Sequence, residues 1–282
     1  MLDSMFSFIK FIQSFASPAL DIFLTVFNMF SQQYFLVGLV AFVYWIIDKK
    51  RGEQLASSLI FSICLSCGIK GVFKQPRPFT YTEKGIRTLN NHTAPGFSFP
   101  SADSAAASAV ACSFATGTKS RVIRFLLALY TLVIAFCRMY FGLHFPTDVL
   151  TGILIGALVS FTMYFYKKKL PHSDAIYPVF ALLLLCFMFF PGQQKDYYNS
   201  LGLALGAVSG ILIEHRFVNF SCIISKSKKV LRFSIGLVSI ITIAVTCSLL
   251  SPETPFFFVF DKFLLTFFAT GIYPVIFKKL NF

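Results

Sequence analysis

The sequence predicts an all-α, polytopic helical membrane protein. Three observations predict this fold class: hydrophobic residues make up 56% of the 282 residues and charged residues only 13%, apolar runs recur along the whole chain, and Lys and Arg cluster between those runs. A soluble protein carries about 25% charged residues. A helix needs roughly 20 apolar residues to cross the hydrocarbon core of a bilayer, and the sequence supplies such runs repeatedly.

The first 15 residues, 1–15, are predicted to form a short amphipathic helix in the membrane interface. Ile9, Ile12 and Phe15 recur at helical spacing beside the polar Lys10. The segment lacks the basic region and the small-residue cleavage site of a signal peptide. We therefore expect it to be retained.

Ten apolar segments follow, and we interpret each as a membrane-spanning helix. They cover residues 17–31, 33–48, 54–76, 101–117, 121–140, 146–166, 174–190, 200–215, 233–250 and 256–277. Only Ser31, Gln32 and Gln33 separate the first two segments, so one of these two could instead be re-entrant.

The distribution of Lys and Arg predicts the orientation. Clusters such as Lys49–Arg51 and Lys167–Lys169 fall in alternate connections, as expected for cytoplasmic loops. They account for the net charge of +13 without a nucleic-acid partner. We expect both termini to be cytoplasmic. A minority of the cations, including Lys70, Arg77 and Arg138, falls at the outer ends of spans. The preference of Lys and Arg for cytoplasmic loops does not explain these positions, so these residues need another explanation.

The seven cysteines predict neither a disulfide framework nor a metal site. All lie in or beside apolar segments, and the CxxC pair formed by Cys64 and Cys67 has no His nearby in the sequence. Because a thiolate is costly in lipid, we interpret them as small buried apolar side chains. We expect no metal and no cofactor.

The outer end of the third predicted span carries a cationic face. Lys70, Lys74 and Arg77 recur at i, i+4 and i+7, and Pro78 ends the helix. Snorkelling to lipid headgroups is the alternative interpretation of this face, above all for Lys74.

The fourth predicted span begins at Ser101, which is a natural N-cap. A helix start presents free N–H groups and the positive end of the helix dipole, and both favour a bound anion. Taken alone, a serine at this position indicates only where the helix starts.

The connection between the fifth and sixth spans holds a second group of polar residues. Arg138 ends the fifth span, His144 follows it, and Pro146 begins the sixth. Asp148 lies in the first turn of that helix, close enough to accept from one ring nitrogen of His144 and leave the other free to attack. An interfacial His beside a helix-capping Asp is the alternative interpretation.

These residues carry a resemblance. Lys70-x6-Arg77-Pro78, Pro100-Ser101 and Arg138-x5-His144-x3-Asp148, in this order, resemble the three-part motif of the type 2 phosphatidic acid phosphatase (PAP2) superfamily. The resemblance implies that His144 attacks phosphorus to form a phosphohistidine and that Asp148 orients it. It also implies that the phosphate is held without metal by Lys70, Arg77, Arg138 and the N–H groups around Ser101.

The resemblance covers about residues 55–160 and implies a six-helix core within residues 16–169. It leaves residues 170–282, with four further predicted spans, as a C-terminal extension. These four spans hold no comparable cluster, because the charged residues 214–216 lie at a predicted cytoplasmic end and need no special account.

The second motif departs from the family pattern Pro-Ser-Gly-His, because Ala102 and Asp103 stand in its last two positions. In the family that His donates a proton to the leaving group. Asp103 could take this catalytic role only when protonated, whereas cationic neighbours favour its charged form. The open interpretations are a diphosphate substrate that needs less proton donation, His92 as the acid, or lost turnover with retained phosphate binding.

The sequence therefore predicts metal-independent hydrolysis of a lipid phosphate or diphosphate, of the polyprenyl diphosphate or phosphatidate type, at the outer leaflet. The alternatives are a lipid phosphotransferase of the same chemistry and a catalytically impaired protein that binds phosphorylated lipid. A transporter is disfavoured because the charged residues lie at span ends. The expected partners are the lipid substrate and the bilayer, with no nucleic acid and no indicated oligomeric state.

Overall fold

Every regular element in the part of the chain described by the computed structural model, residues 2–91, 94 and 96–282, is helical. This confirms the predicted all-α class. The helices are α1 (Leu2–Gln13), α2 (Pro18–Asn28), α3 (Gln33–Phe42), α4 (Lys49–Phe73), α5 (Ala102–Thr116), α6 (Arg121–Tyr140), α7 (Pro146–Lys169), α8 (Ile176–Leu185), α9 (Lys195–Ile213), α10 (Lys226–Leu250), α11 (Pro255–Phe267) and α12 (Tyr273–Lys279).

Several of these helices are long and apolar enough to cross a bilayer. Within the described residues there are six such segments, namely Lys49–Thr80, Arg121–Tyr140, Pro146–Lys169, Lys195–Val218, Lys226–Leu250 and Pro255–Lys279. Two shorter apolar helices, Gln33–Ile47 and Ile176–Phe189, pack among them. The chain is a multi-pass membrane protein, as predicted.

The first two predicted spans are not separate crossings. The hydroxyl of Tyr140, at the end of α6, donates to Asp21, whereas the hydroxyl of Tyr130, in the middle of α6, donates to the carbonyl of Phe30 at 3.0 Å. Helix α2 therefore runs antiparallel to α6 and ends halfway along it. Helix α3 continues to the opposite end, where Arg232 donates to the carbonyl of Trp45 at 3.1 Å. The two segments are halves of one broken crossing.

This broken crossing changes the positions of the termini. We call the end where α4 and α6 finish and α5 and α7 begin the site end, and the opposite end the far end. Gln13 of α1 donates to the carbonyl of Tyr140 at 2.8 Å, at the site end. Arg232 donates to the carbonyl of Phe282 at 2.7 Å, at the far end. The two termini therefore lie at opposite ends of the helical body, which differs from the prediction that both lie on one side, because that prediction counted the two halves as two crossings.

Helices α5 and α7 approach closely because glycine lies at their contact. A Cβ added at Gly152 would lie 2.3 Å from the carbonyl oxygen of Ser101, and one at Gly156 would lie 2.2 Å from that of Ala105. Both distances are too short for any larger residue. The close contact brings the first turn of α5 beside the first turn of α7, which is where the predicted motifs meet.

An ion-pair network at the far end joins the core to the C-terminal extension. The buried carboxylate of Glu53, on α4, lies 2.8 Å from His215 Nε2 and 3.5 Å from the ammonium of Lys167, and it accepts from the Tyr177 hydroxyl. His215 Nδ1 also lies 3.0 Å from Asp174. The charged residues near position 215 therefore have a structural role that the sequence analysis did not assign.

Candidate active site

The site end brings the predicted residues together from five parts of the chain. Lys70, Arg77, Asp103, Arg138 and His144 line one cavity of about 330 Å³. The remaining two predicted residues, Ser101 and Asp148, are fully buried beside this group.

Arg138 is a buried cation with unfilled hydrogen-bonding capacity. Its side chain is 1% exposed, and Nη2 lies 2.8 Å from a carboxylate oxygen of Asp103. Its Nε and Nη1 have no hydrogen-bond partner within the described part of the chain. Leaving a buried charged donor unsatisfied is costly, so this arrangement favours an anion that enters the cavity and accepts from both nitrogens.

Lys70 and Arg77 are held by backbone carbonyls around the same cavity. The Lys70 ammonium donates to the carbonyl of Phe97 at 2.9 Å. The Arg77 guanidinium donates through Nε to the carbonyl of Gly96 at 2.9 Å and through Nη1 to that of Leu143 at 3.1 Å. These contacts hold both side chains beside the cavity.

The contact between Arg77 and His144 determines which ring nitrogen carries the proton. Arg77 Nη1 lies 3.0 Å from His144 Nε2. A guanidinium can only donate, so Nε2 must be the unprotonated acceptor and Nδ1 must carry the hydrogen. Nε2 therefore carries the lone pair needed for nucleophilic attack, and it faces Arg77, which lines the cavity together with His144.

The other side of the His144 ring faces Asp148 through a residue that the sequence analysis missed. His144 Nδ1 lies 3.5 Å from Asp148 Oδ2 and 3.4 Å from the Ser98 hydroxyl, which itself donates to Asp148. The Phe145 N–H donates to the same carboxylate at 2.8 Å. Ser98 thus positions both members of the pair. Its only signal in the sequence is a polar residue between Phe97 and Phe99.

His144 lies in the connection between α6 and α7, and its environment keeps it neutral. Burial, followed by the positive charges of Arg77, Lys70 and Arg138, lowers the pKa of the imidazole well below its usual value of 6.5. A neutral ring retains the lone pair on Nε2 at physiological pH, as a nucleophile requires.

The second motif region divides into a structural residue and a cavity residue. The Ser101 hydroxyl accepts from the Ser104 N–H at 3.3 Å as an N-cap, and the Ser101 N–H donates to the carbonyl of Asp148 at 2.9 Å. Both groups are therefore occupied within the protein, and the neighbours Ala102 and Asp103 are the ones that line the cavity. The other proposed acid, His92, lies outside the described residues.

The C-terminal extension also contributes to this cavity. Asp196 and Asn199 of α9 and Lys262 of α11 line it together with the motif residues. The sequence analysis missed them because they form no motif, and only the packing of α9 against α4 and of α11 against α9 brings them to the site. Among the described residues, no group of three or more His, Cys, Asp or Glu side chains is arranged to hold a metal ion.

Comparison with known proteins gives the family. Residues 53–171 match the PAP2 superfamily, and residues 198–282 match the PAP2 superfamily phosphatase transmembrane extension. The solved structure of LpxE from Aquifex aeolicus is similar over 57% of this chain and 94% of that chain, with 31% sequence identity and a TM-score of 0.52. The chain belongs to the PAP2 superfamily.

Two curated proteins are similar to part of the chain. Sphingosine-1-phosphate phosphatase 2 from Homo sapiens is 24% identical over 203 residues, which are 66% of this chain and 50% of that protein. Undecaprenyl-diphosphatase BcrC from Bacillus subtilis is 26% identical over 163 residues, or 55% of this chain and 82% of that protein. The match thus spans about half the length of the human relative.

Proposed function

We propose that this protein is a membrane lipid phosphatase that releases phosphate from a lipid phosphate or diphosphate through a phosphohistidine at His144. The observation that carries the proposal is the buried Arg138, which lines the same cavity as the neutral His144 and has two nitrogens without a hydrogen-bond partner among the described residues. The names of the PAP2 relatives, which include a sphingosine-1-phosphate phosphatase and an undecaprenyl-diphosphatase, support the lipid substrate.

In the proposed reaction, the lipid phosphate enters between the three cations and His144. Arg77 moves its Nη1 from His144 Nε2 to a phosphate oxygen, while Lys70 and Arg138 neutralise the other oxygens. His144 Nε2 then attacks phosphorus, and the bond from phosphorus to the bridging oxygen breaks. A diphosphate thereby releases the lipid monophosphate, whereas a monoester releases a lipid alkoxide that takes a proton from water. Asp148 and Ser98 stabilise the imidazolium through Nδ1. Water hydrolyses the phosphohistidine in the second step. Positioning and charge neutralisation are the main needs of phosphoryl transfer, and the cations supply them without metal.

Asp103 bears on the choice of leaving group. Its carboxylate lies 2.8 Å from Arg138 Nη2 in an ion pair, so we assign it the positioning of Arg138 and not proton donation. A leaving phosphate needs less protonation than a lipid alkoxide. A polyprenyl diphosphate type of substrate is therefore favoured over a monoester of the phosphatidate type.

We place the site at the outer leaflet. The basic clusters Lys49–Arg51, Lys119–Arg124 and Lys167–Lys169 all lie at the far end of the helical body. Basic residues accumulate on the cytoplasmic side, which leaves the site end facing out. In the same proposal, residues 16–169 form the phosphatase core and residues 170–282 its extension.

The test is phosphate release by purified protein from lipid phosphates and diphosphates, with and without a chelator. We expect release that resists the chelator and is abolished in His144→Ala. The matched control is His172→Ala, an exposed histidine at the far end, which should retain activity. Activity that survives in His144→Ala would overturn the proposed nucleophile.

A catalytically impaired, lipid-binding protein is the second candidate, and the Asp103–Arg138 ion pair favours it because the pair occupies one phosphate-binding arginine. Asp103→His discriminates between the two. A large gain in monoester hydrolysis indicates an impaired enzyme, whereas a loss indicates that Asp103 has its own role in turnover. Adding lipid and sugar acceptors to the same assay tests for phosphotransfer.

A further inference from the structure

We propose that the hydrocarbon chain of the substrate lies inside the protein, in the cavity between the core helices α3 and α4 and the extension helices α9 and α11. This inference rests on the proposed function for the identity of the phosphorylated lipid. The cavity that holds Lys70, Arg77, Arg138 and His144 does not stop at these residues, because it continues between the core and the extension as far as Trp45.

Each of the four helices contributes one continuous face to this cavity. On α11 and the turn that follows it, Lys262, Leu265, Thr266, Ala269 and Thr270 recur at spacings of three and four residues. The same spacing holds on the other three helices: Asp196, Asn199, Ser200 and Leu203 on α9, Lys70, Cys67, Ile63, Ile60, Leu59 and Ala56 on α4, and Gln33, Leu36, Val37, Val40, Ala41 and Tyr44 on α3 and its continuation. Because each wall of the cavity is one face of a helix, the cavity is a channel that runs parallel to the helices.

The polarity of these faces changes along the channel. The site end carries Lys70 on α4, Asp196 on α9 and Lys262 on α11, whereas the next turns of the same helices carry Ile63, Leu203 and other apolar residues. Apart from Gln32 and Gln33 at the break between α2 and α3, the wall below the site end is mainly apolar. This order matches a charged headgroup followed by a hydrocarbon chain.

The length of the channel also fits a long chain. On α4 the lining residues extend from Lys70 to Ala56, which at about 1.5 Å per residue is roughly 21 Å. This is about two-thirds of a hydrocarbon core of ~30 Å. Trp45 closes the deep end, where its indole N–H donates to the carbonyl of Ala269 at 3.0 Å. A chain that enters from the site end therefore meets a fixed stop.

The occupant follows from the continuity of the channel with the phosphate site. A water column is unfavourable along an apolar wall that offers few polar partners. A phosphorylated lipid fits both the charged and the apolar part of the channel. Its phosphate would contact Arg138, and its methylenes would contact Leu203, Leu265 and Ile63. The extension would then form part of the substrate site and not only an addition to the core.

The first test fills the deep end and measures selectivity for chain length. Ala269→Phe narrows the channel from the extension side and Val40→Phe from the core side. We expect each variant to lower the ratio of kcat/KM for octadecyl diphosphate to that for hexyl diphosphate by about tenfold or more, because the long chain loses burial of roughly two methylenes. The matched control is Ala128→Phe, on the exposed surface of α6, which should leave the ratio unchanged.

The second test reports binding without turnover. Trp45 is the single tryptophan of the chain, and it lines the deep end of the channel. In His144→Ala, which keeps the cations, we expect a long-chain diphosphate brominated at its terminal carbon to quench Trp45 fluorescence in detergent. The same chain brominated beside the headgroup should quench weakly. Ala269→Phe should reduce the quenching by the terminal bromine.

The two tests separate this inference from the proposed function. Quenching without any phosphate release from the unmodified protein would overturn the proposed activity but support the channel. Phosphate release with unchanged chain selectivity in both filled variants, or equal quenching by the two brominated lipids, would overturn the channel and leave the phosphatase proposal intact.

Discussion

Replacing Arg138 by methionine tests the candidate site, because the change should lower kcat/KM without lowering the stability of the protein. Arg138→Met keeps most of the side-chain volume and removes the charge. Within the described part of the chain, Arg138 has two buried nitrogens without hydrogen-bond partners, and the side chain of Asp103, its ion-pair partner, is 30% exposed. Each unsatisfied buried nitrogen lowers stability by about 1–3 kcal/mol. Arg138→Met removes both nitrogens, and this gain offsets the loss of the ion pair with Asp103, whose carboxylate water can still reach.

The effect on phosphate is expected to be large. A bound phosphate would accept from Nε and Nη1 of Arg138, and hydrogen bonds to charged groups contribute about 1.5–3 kcal/mol each. Losing two of them amounts to roughly 3–6 kcal/mol, or about a 10²- to 10⁴-fold fall in kcat/KM. The unfolding midpoint of the ligand-free protein should stay the same or rise.

The assays are phosphate release and thermal unfolding in detergent, with and without inorganic phosphate. Phosphate should raise the unfolding midpoint of the unmodified protein but not that of Arg138→Met. The matched control is Arg124→Met, at the exposed far end of the same helix, which should change neither measurement. The reasoning is refuted if Arg138→Met keeps kcat/KM within tenfold, or if it strongly destabilises the ligand-free protein.

Three further predictions concern single residues. Because the pKa of His144 lies well below 6.5, kcat/KM in a pH titration should not fall near pH 6.5 through protonation of Nε2, and that loss should occur at lower pH. A break near pH 6.5 that persists when the other three histidines, His92, His172 and His215, are replaced would contradict this. Ser98→Ala removes the hydroxyl between His144 and Asp148 and should lower kcat by about tenfold with little change in KM; an equal rise in KM would indicate a structural role instead. Glu53→Gln removes the buried carboxylate that contacts His215 and Lys167, and both of these keep their ion pair with Asp174, so the free energy of unfolding should fall by about 1–3 kcal/mol, while kcat/KM of the folded protein is kept.

The predicted site residues close together in sequence were found because one helix or turn fixes their geometry. His144 and Asp148 flank the start of α7, so local spacing alone predicts that they meet. The predicted helical face of Lys70, Lys74 and Arg77 does not form, because α4 ends at Phe73 and the backbone of Arg77 is extended. Ser98 could not be predicted in this way. Its contact with Asp148 depends on how the loop before α5 folds back over α7.

The errors in topology have a different cause. Hydropathy identifies apolar segments but does not reveal whether two short helices cross the bilayer twice or share one crossing. Only the contact between Phe30 and the middle of α6 at Tyr130 distinguishes these possibilities. Likewise, Asp196 and Lys262 reach the site through the packing of α9 and α11. Glycine allows this packing, since a Cβ at Gly202 would lie 2.2 Å from the carbonyl oxygen of Val259.

The division of the cavity wall has an evolutionary consequence. The side chains that would handle phosphate all lie between residues 70 and 148, whereas one wall of the cavity comes from residues 196–270. Substitutions in the second region can reshape the space beside the lipid without altering the groups that would perform the reaction. Such a protein could acquire a new lipid preference by gradual change, with every intermediate retaining an intact phosphate site.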